Sequence, residues 1–258
     1  MQLSSVTLAV RDLGRSIAFY TQAIGLESLD AAAGTARLGR GDQSLLHLVE
    51  RRHGRPRGDA AGLFHVAWLV ASRAHLGAAL ARLDQSGVRL TGAADHHVSE
   101  AIYLDDPDGN GIEVYADRPG TDWYRNGELV AGNAPLDSAG ILASTAAAGL
   151  RPERSAEGLR LGHVHLEAVD LAASASFAEE ALGLELRLAW PNARFLAWDG
   201  YHHHLAYNDW RQRRTVLEPD HDRLGLVGIE LLGPLPDRLV DPNGIVFTRA
   251  ARATAQQP

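Results

Sequence analysis

The segment WDGYHHHLAYN (residues 198–208) contains three consecutive histidines, His202, His203 and His204, within an otherwise apolar run. Imidazole ionises near neutral pH and binds divalent metals, so these side chains could transfer protons or hold an ion. Because the chain has 12 histidines and no cysteine, any metal site must use His, Asp and Glu. Surface or core positions would also explain the run. On a strand, His203 would face away from His202 and His204.

The overall composition limits the classes of partner. The 258 residues are 45% hydrophobic and 22% charged, as expected of a globular protein. The net charge of -7 gives no reason to expect nucleic acid or an anionic membrane as partner. No segment approaches the roughly 20 apolar residues that span a bilayer, and the N-terminal residues lack the pattern of a signal peptide. We therefore expect a cytoplasmic protein, and the sequence leaves open whether it forms a homo-oligomer.

An internal repeat gives the first indication of the architecture. SSVTLAVRDLGRSIAFYTQAIGLE (residues 4–27) recurs without gaps as GHVHLEAVDLAASASFAEEALGLE (residues 162–185). Each copy begins with the alternation of a strand, followed by an aspartate, Asp12 or Asp170, that is well placed to cap a helix. A glycine ends each predicted helix, and short strands follow. The repeat therefore predicts two copies of a strand–helix–strand–strand–strand unit.

A second type of unit opens with GLFHVAWLV (residues 62–70), continues with a predicted helix and closes with AIYLDDPDGNGIEVY (residues 101–115). DPDGNG is strong turn chemistry between two strands. A shortened relative, without most of the helix, contains LGLVGIELL (224–232) and LVDPNGIVF (239–247). We therefore predict four units, at about 3–52, 60–118, 159–210 and 222–250. They would form two domains, 1–118 and 159–258, joined by a linker over 119–158.

These four units, with DPDGNGIEVY closing the second, resemble the vicinal oxygen chelate superfamily. It includes glyoxalase I, fosfomycin-resistance proteins, bleomycin-binding proteins and type I extradiol dioxygenases. The resemblance covers nearly the whole chain and is strongest to two-domain, catechol-2,3-dioxygenase-like or glyoxalase-like members. It implies an α+β fold in which four βαβββ units, the fourth truncated, pair into cups of curved sheet. A metal lies inside such a cup, held by the first strand of each paired unit and the last strand of one.

The resemblance places metal ligands at His65 in FHVAW and at Glu113 in GNGIEVY. Unit one has Ser5 at the position of the third ligand, and serine is a poor ligand for a divalent first-row metal. Unit three has His163 at the equivalent position, so a cup made of units two and three would complete the set. Two histidines and one carboxylate with open coordination positions are typical of non-heme Fe(II) oxygenases. Fe(II) is therefore the expected metal, with Mn(II) or another divalent metal as the alternative.

One alternative to this ligand set depends on the register of the strands. His165 lies two residues beyond His163 and faces the same side of a strand, so it would replace His163 if the register shifted by two residues. Unit four offers no ligand, because Leu226 or Gly225 falls at the histidine position and Val246 at the carboxylate position.

Further residues are implied to contact the substrate. Tyr103 precedes Glu113 by ten positions, the spacing at which type I extradiol dioxygenases carry a tyrosine that hydrogen-bonds a substrate oxygen. HHHLAY resembles the family's histidine pair, with His202 and His203 as the pair, which implies that His203 is the acid–base residue. If His203 faces away from the cup, His202 and His204 would take that role, or no histidine would. The residues expected to line the substrate pocket are His165, His96, His202, His204 and Tyr201.

The resemblance implies a metal-dependent, extradiol-type dioxygenase that uses O2 to cleave the ring of a catechol-like small aromatic diol. A glyoxalase-like lyase or isomerase is the second interpretation. Such enzymes commonly use a second carboxylate, and neither Glu167 nor Glu230 occupies a matching position. The third is a non-catalytic protein that binds a small aromatic compound or antibiotic, which the lost ligand positions would favour.

Overall fold

The computed structural model describes residues 1–152, 156–218 and 222–250. Units one and two have the predicted βαβββ order. Unit one comprises β1 (Gln2–Val10), α1 (Leu13–Phe19), β2 (Glu27–Ala32), β3 (Thr35–Arg40) and β4 (Gln43–Glu50), and a π-helical turn, Tyr20–Ile24, extends α1. Unit two comprises β5 (Gly62–Leu69), α2 (Arg73–Gln85), β6 (Leu90–Asp95), β7 (Ser99–Asp105) and β8 (Gly111–Asp117).

The second half of the chain follows the same plan. Unit three comprises β11 (Arg160–Glu167), α4 (Leu171–Leu182), β12 (Glu185–Trp190), β13 (Ala193–Ala197) and β14 (Leu205–Asn208). Unit four comprises β15 (Gly225–Leu232), β16 (Arg238–Val240) and β17 (Val246–Arg249), without a helix in its described residues. Between the halves lie β9 (Tyr124–Arg125), β10 (Glu128–Leu129) and α3 (Ser138–Ala147).

Each of the two large sheets combines one unit from each half of the chain. The eight-stranded sheet has the order β12-β13-β14-β11-β5-β8-β7-β6, and the seven-stranded sheet has the order β16-β17-β15-β1-β4-β3-β2. Antiparallel pairs of first strands lie at the centres of both sheets, β5 with β11 and β1 with β15. Units two and three therefore share one cup and units one and four share the other. The predicted α+β fold of paired curved sheets is confirmed.

The repeated aspartates cap helices as predicted. The Asp12 carboxylate accepts a hydrogen bond from the Arg15 amide, and Asp170 accepts from the amides of the second and third helical residues. Each helical segment then ends at a glycine in the left-handed conformation, Gly25 with φ of 93° and Gly183 with φ of 64°. These local signals fix where the helices begin and end.

Strand alternation separates the core from the cup interior. On β1 and β11, Val6, Leu8, Val164 and Leu166 are fully buried in the hydrophobic core. On the opposite face of β11, His163 and its polar neighbours are also buried, because that face lines the cup. No helix among the described residues is long and apolar enough to cross a membrane.

The linker contains a helix that the sequence analysis did not predict. α3 packs against α2, where the Thr145 hydroxyl donates to the Ala74 carbonyl at 2.8 Å and Arg73 binds Asp137 at 3.0 Å. Gly77 allows this close approach, because a Cβ there would lie 2.6 Å from the Ile141 carbonyl oxygen. The second half of the linker is thus docked on unit two.

The strand register shows which residue of unit four corresponds to His65. β15 pairs with β1 in the register in which β5 pairs with β11, which aligns Gly228 with His65. The predicted correspondence with Leu226 or Gly225 is therefore wrong. The two ladders carry bulges at equivalent positions, so the correspondence is the gap-free one that aligns GLFH (62–65) with GLVG (225–228). Glycine has no side chain, so unit four still lacks a histidine at this position.

The predicted counterpart of Glu113 in unit four is also wrong. Asp106 and Asp241 organise equivalent turns, because each accepts backbone hydrogen bonds from the residues two and four positions later. Counted from these aspartates, Thr248 corresponds to Glu113, and the ladders agree. Val246 was predicted at this position because the Gly-Ile pairs were aligned instead of the aspartates. Threonine provides no carboxylate, so the unit still supplies no ligand.

Candidate metal centre

Three buried donor groups converge near the middle of the eight-stranded sheet. His65 lies on β5, Glu113 on β8 and His163 on β11, and these side chains share one face of adjacent strands. Glu113 Oε2 lies 2.9 Å from His65 Nε2 and 3.1 Å from His163 Nε2, and the two nitrogens are 3.3 Å apart. Across the described residues, this is the one group of three or more His, Asp or Glu side chains suited to a metal.

The donor set fits a divalent cation. Separations of 2.9–3.3 Å are those of adjacent ligands that each lie about 2.1 Å from one ion. Without a cation, the two ring nitrogens and the carboxylate oxygen would have to share protons to avoid repulsion between their lone pairs. A bound cation accepts a lone pair from each of the three atoms. Two nitrogens and one oxygen suit Fe(II) and other first-row metals.

Burial and mutual contact determine the charge state of these ligands. Burial raises the pKa of Glu113, but His163 and His65 outweigh it and hold that pKa well below its usual range. Burial lowers the pKa of His163 to about 4, although Glu113 opposes the shift. At neutral pH the carboxylate is therefore ionised and His163 is neutral, which are the forms that bind metals.

A cavity of about 510 Å³ opens beside the three ligands. Aromatic and apolar side chains from units two and three form much of its wall: Phe64, Leu188, Trp190, Phe195 and Trp210. Linker residues 129 and 131–133 also line it. The sequence analysis missed this contribution, because nothing in the Gly- and Ala-containing linker indicates where it passes. The cavity combines a polar, metal-binding side with apolar walls, as small-molecule sites commonly do.

The three consecutive histidines precede a strand rather than lie on one. β14 begins at Leu205, so the predicted alternation between His202, His203 and His204 is wrong. His202 and His203 both line the cavity, and the His203 ring centroid lies 4.1 Å from that of His163. His204 lies outside the cavity, contrary to its predicted role, and its Nδ1 accepts a hydrogen bond from the Trp198 amide at 3.2 Å.

A series of hydrogen bonds orients His203. Asp117 Oδ1 lies 2.9 Å from His202 Nε2, and His202 Nδ1 lies 2.8 Å from His203 Nδ1. The carboxylate favours a proton on His202 Nε2, which leaves His202 Nδ1 to accept from His203 Nδ1. His203 Nε2 then keeps its lone pair. Burial holds the pKa of His203 well below its usual range, so the imidazole is neutral at pH 7.

Tyr201 supports this series from outside the cavity. Its hydroxyl donates to Asp117 Oδ2 at 2.9 Å and lies 2.8 Å from the Tyr115 hydroxyl. Tyr201 does not line the cavity, so the structure does not bring it to the predicted substrate position. Asp117 was missed by the sequence analysis, although a signal existed: it follows Glu113 by four residues and so shares its face of β8.

Tyr103 and His96 line the cavity, as predicted. Tyr103 lies directly across from Glu113 in the ladder between β7 and β8. Its hydroxyl lies 2.7 Å from His96 Nε2, and His96 Nδ1 lies 3.0 Å from the Gly132 carbonyl. Because a carbonyl requires a donor, His96 is protonated on Nδ1 and accepts from Tyr103. Burial, followed by the charge of Glu113, raises the pKa of Tyr103, so the phenol stays protonated.

His165 also lines the cavity but takes no part in the ligand set. Its ring centroid lies 4.9 Å from that of His65, and its Nε2 lies 3.0 Å from Asn208 Nδ2. Burial lowers the pKa of His165 well below its usual range. The structure therefore brings His163, and not the alternative His165, to Glu113.

The sequence and the fold both match known proteins. Residues 2–114 match the family model described as Glyoxalase/Bleomycin resistance protein/Dioxygenase superfamily. The chain is 37% identical over 219 residues to Catechol-2,3-dioxygenase from Bacillus subtilis (strain 168), a match that covers 82% of this chain and 76% of that protein.

Solved structures share the fold. A candidate dioxygenase from Bacillus subtilis subsp. subtilis strain 168 superposes with a TM-score of 0.61 at 14% identity, over 96% of this chain and 84% of that one. Glyoxalase I from Zea mays superposes with a TM-score of 0.57 at 19% identity, over 96% of this chain and 92% of that one. The family-model match and the sequence identity over most of the chain show that the chain belongs to the glyoxalase/bleomycin resistance protein/dioxygenase superfamily.

Proposed function

We propose that this protein is a metal-dependent, extradiol-type dioxygenase that cleaves the ring of a catechol-like aromatic diol with O2. The observation that carries the proposal is the buried set of two histidines and one carboxylate beside an aromatic-walled cavity. This donor set with open positions is typical of non-heme Fe(II) oxygenases. The 37% identity to Catechol-2,3-dioxygenase of Bacillus subtilis supports the same chemistry.

His65, Glu113 and His163 would hold the metal, with Fe(II) preferred and Mn(II) as the alternative. When bound, such an ion supplies a Lewis acid and a template that orients the diol and O2. The cavity of about 510 Å³ is large enough for a single aromatic ring and its substituents. Phe195 and Trp190 provide an apolar wall for that ring and exclude water from it.

Tyr103 would orient the diol. Because its O–H is donated to His96, the phenol oxygen remains free to accept a hydrogen bond from a substrate hydroxyl. His96 is in turn held by the Gly132 carbonyl. The linker thereby favours the His96 tautomer that accepts from the Tyr103 hydroxyl.

His203 would act as the general base. It is neutral at pH 7, and its Nε2 keeps a lone pair because Nδ1 donates to His202. A proton taken by Nε2 creates an imidazolium whose charge is stabilised through His202 by Asp117. The carboxylate also holds His202 in the required tautomer, as the orienting acid of a catalytic triad does.

A glyoxalase-like reaction has weaker support from the available carboxylates. Glu167, the nearest candidate for a second ligand, accepts hydrogen bonds from Arg57 Nη2 at 2.5 Å and Arg213 Nε at 3.0 Å. Glu230 belongs to the other cup and accepts a hydrogen bond from Ser5. Both carboxylates are therefore committed to other partners.

The direct test is anaerobic reconstitution with Fe(II) or Mn(II), followed by metal analysis and mixing with catechols while O2 is recorded. We expect about one ion per chain and one O2 consumed per diol cleaved, with a coloured ring-opened product. Removing the metal with a chelator should abolish O2 consumption, and restoring the metal should recover it. Failure to retain any divalent metal, or no O2 consumption with a panel of diols, would contradict the proposal.

A further inference from the structure

Arg211 is the one lysine or arginine among the described residues that line the cavity. Its guanidinium carbon lies 5.2 Å from the centroid of the Phe64 ring, and that ring lies 5.2 Å from the ring of His65. The Phe64 ring therefore lies between the Arg211 guanidinium and His65, one of the three residues of the candidate metal centre. The positive group lies within reach of a substituent on a ring bound beside His65.

The hydrogen-bonding capacity of Arg211 is largely unused. In residues 1–152, 156–218 and 222–250 its contacts are the Phe64 ring and an ion pair of 3.5 Å between Nη1 and Glu167 Oε1. That separation is too long for a good hydrogen bond. Its side chain is 57% exposed. The planar guanidinium can therefore still offer paired N–H donors to an anion.

The arginines around Glu167 outnumber the carboxylates with which they form ion pairs. The guanidiniums of Arg57, Arg211 and Arg213 share the buried carboxylate of Glu167, and Arg213 also forms an ion pair of 3.8 Å with Asp59. Asp105 also lines the cavity and attracts Arg211, but among the described residues it forms no ion pair with it. Burial raises the pKa of Asp105, an effect that Arg211 partly offsets. Among the described residues the one ion pair of Arg211 is therefore the long one to Glu167, a carboxylate that Arg57 and Arg213 bind at shorter distances.

From these contacts we propose that Arg211 binds a carboxylate on the substrate and that the protein prefers catechols with a short acidic side chain. The inference rests on the proposed function for the position of the diol oxygens, at the three metal ligands. With the oxygens there and the ring against Phe64, a carboxymethyl or carboxyethyl substituent extends toward Arg211. Guanidinium and carboxylate pair through two parallel hydrogen bonds, which adds orientation to affinity.

The test compares 3,4-dihydroxyphenylacetate with its methyl ester, which differ in charge at the side chain and keep the same diol. Dissociation constants are measured by calorimetry without O2, on Fe(II)-loaded wild type and variants. We expect wild type to bind the acid about tenfold more tightly than the ester, the scale of one partly exposed charged pair. Arg211→Gln should remove this preference, and Asp105→Asn should increase it.

Arg214→Gln is the matched control. It removes the same charge from the same segment, at an exposed position that does not line the cavity. It should keep the preference for the acid. Equal binding of acid and ester by wild type, no binding of the acid, or an unchanged preference in Arg211→Gln would each overturn the proposal. O2 consumption with unsubstituted catechol tests the proposed function separately, so the two failures are distinguishable.

Discussion

The two cups share a plan and differ in their contents. The histidine cup consists of units two and three, and the serine cup consists of units one and four. Each is centred on an antiparallel pair of first strands. The histidine cup has His163, His65 and Glu113 where the serine cup has Ser5, Gly228 and Thr248.

The difference extends to the last strands. β4 pairs with β1 in the register in which β14 pairs with β11. His202, His203 and His204 therefore correspond to Gln43, Ser44 and Leu45. In the serine cup the polar groups bond to each other, Ser5 to Glu230 at 2.7 Å and Ser44 to His47 at 2.9 Å. The same strand order is maintained without a ligand set, so the metal site is an addition to a scaffold that does not need it.

The largest expected difference between the two cups comes from changing the corresponding residues, His163 and Ser5, to alanine. His163→Ala removes a metal ligand, so we expect loss of tight metal binding and a fall in activity of at least about a thousandfold. This exceeds the roughly 10–100-fold loss that is typical when a residue hydrogen-bonded to a metal ligand is changed. Ser5→Ala should keep both and lose about 1 kcal/mol of unfolding free energy, because a hydrogen bond to Glu230 disappears. Metal analysis, O2 consumption and urea unfolding measure these effects. Metal loss in Ser5→Ala would contradict the functional separation of the cups.

A second prediction concerns the residues behind the ligands. Asp117→Asn should lower kcat by about 10–100-fold while the metal content stays at the wild-type value, because it disturbs the tautomer of His202 and hence of His203. Tyr201→Phe removes one hydrogen bond to Asp117 and should have a smaller effect. Metal content, kcat and thermal stability are measured on the same samples. If Asp117→Asn loses metal in proportion to activity, Asp117 supports the ligands and not the proton transfer.

Local patterns predicted several features of both cups. The helix caps at Asp12 and Asp170 and the turn before Glu113 depend on neighbouring residues, and all were predicted. The pairing of units two and three could be inferred because Ser5 cannot replace His163. The counterpart of His65 in unit four was predicted incorrectly, because the two first strands were not aligned at their glycines, Gly62 and Gly225.

Contacts between distant segments limited the rest of the prediction. Asp117 and His202 lie 85 positions apart, and no local pattern indicates that they meet. Arg211 follows a short strand in a polar segment, where a solvated position is the ordinary expectation. The histidine run was assigned to a strand because its apolar flanks suggested one, but the ladder begins only at Leu205.

The smallest expected effect is that of a substitution at position 204, where the two cups also differ. Leu45 is fully buried in the serine cup, whereas the half-buried His204 lies outside the cavity. Burial, followed by repulsion from His202 and His163, lowers the pKa of His204 from 6.5 to about 4. His204→Leu should therefore leave activity near the wild-type value and change the pH dependence of stability.

The sign of that change follows from proton binding. Between pH 6.5 and about 4 the unfolded chain binds a proton at position 204 that the folded chain does not, so the stability from His204 is complete above pH 6.5 and is lost as the pH falls toward 4. Leucine cannot titrate, so His204→Leu should lose less stability than wild type between pH 7 and pH 5. At pH 7 it should cost about 1 kcal/mol, because the Trp198 amide loses its acceptor. Urea unfolding at both pH values measures this, with the exposed His53→Leu as control. An unchanged slope in His204→Leu would mean that the acid sensitivity comes from the histidines inside the cup.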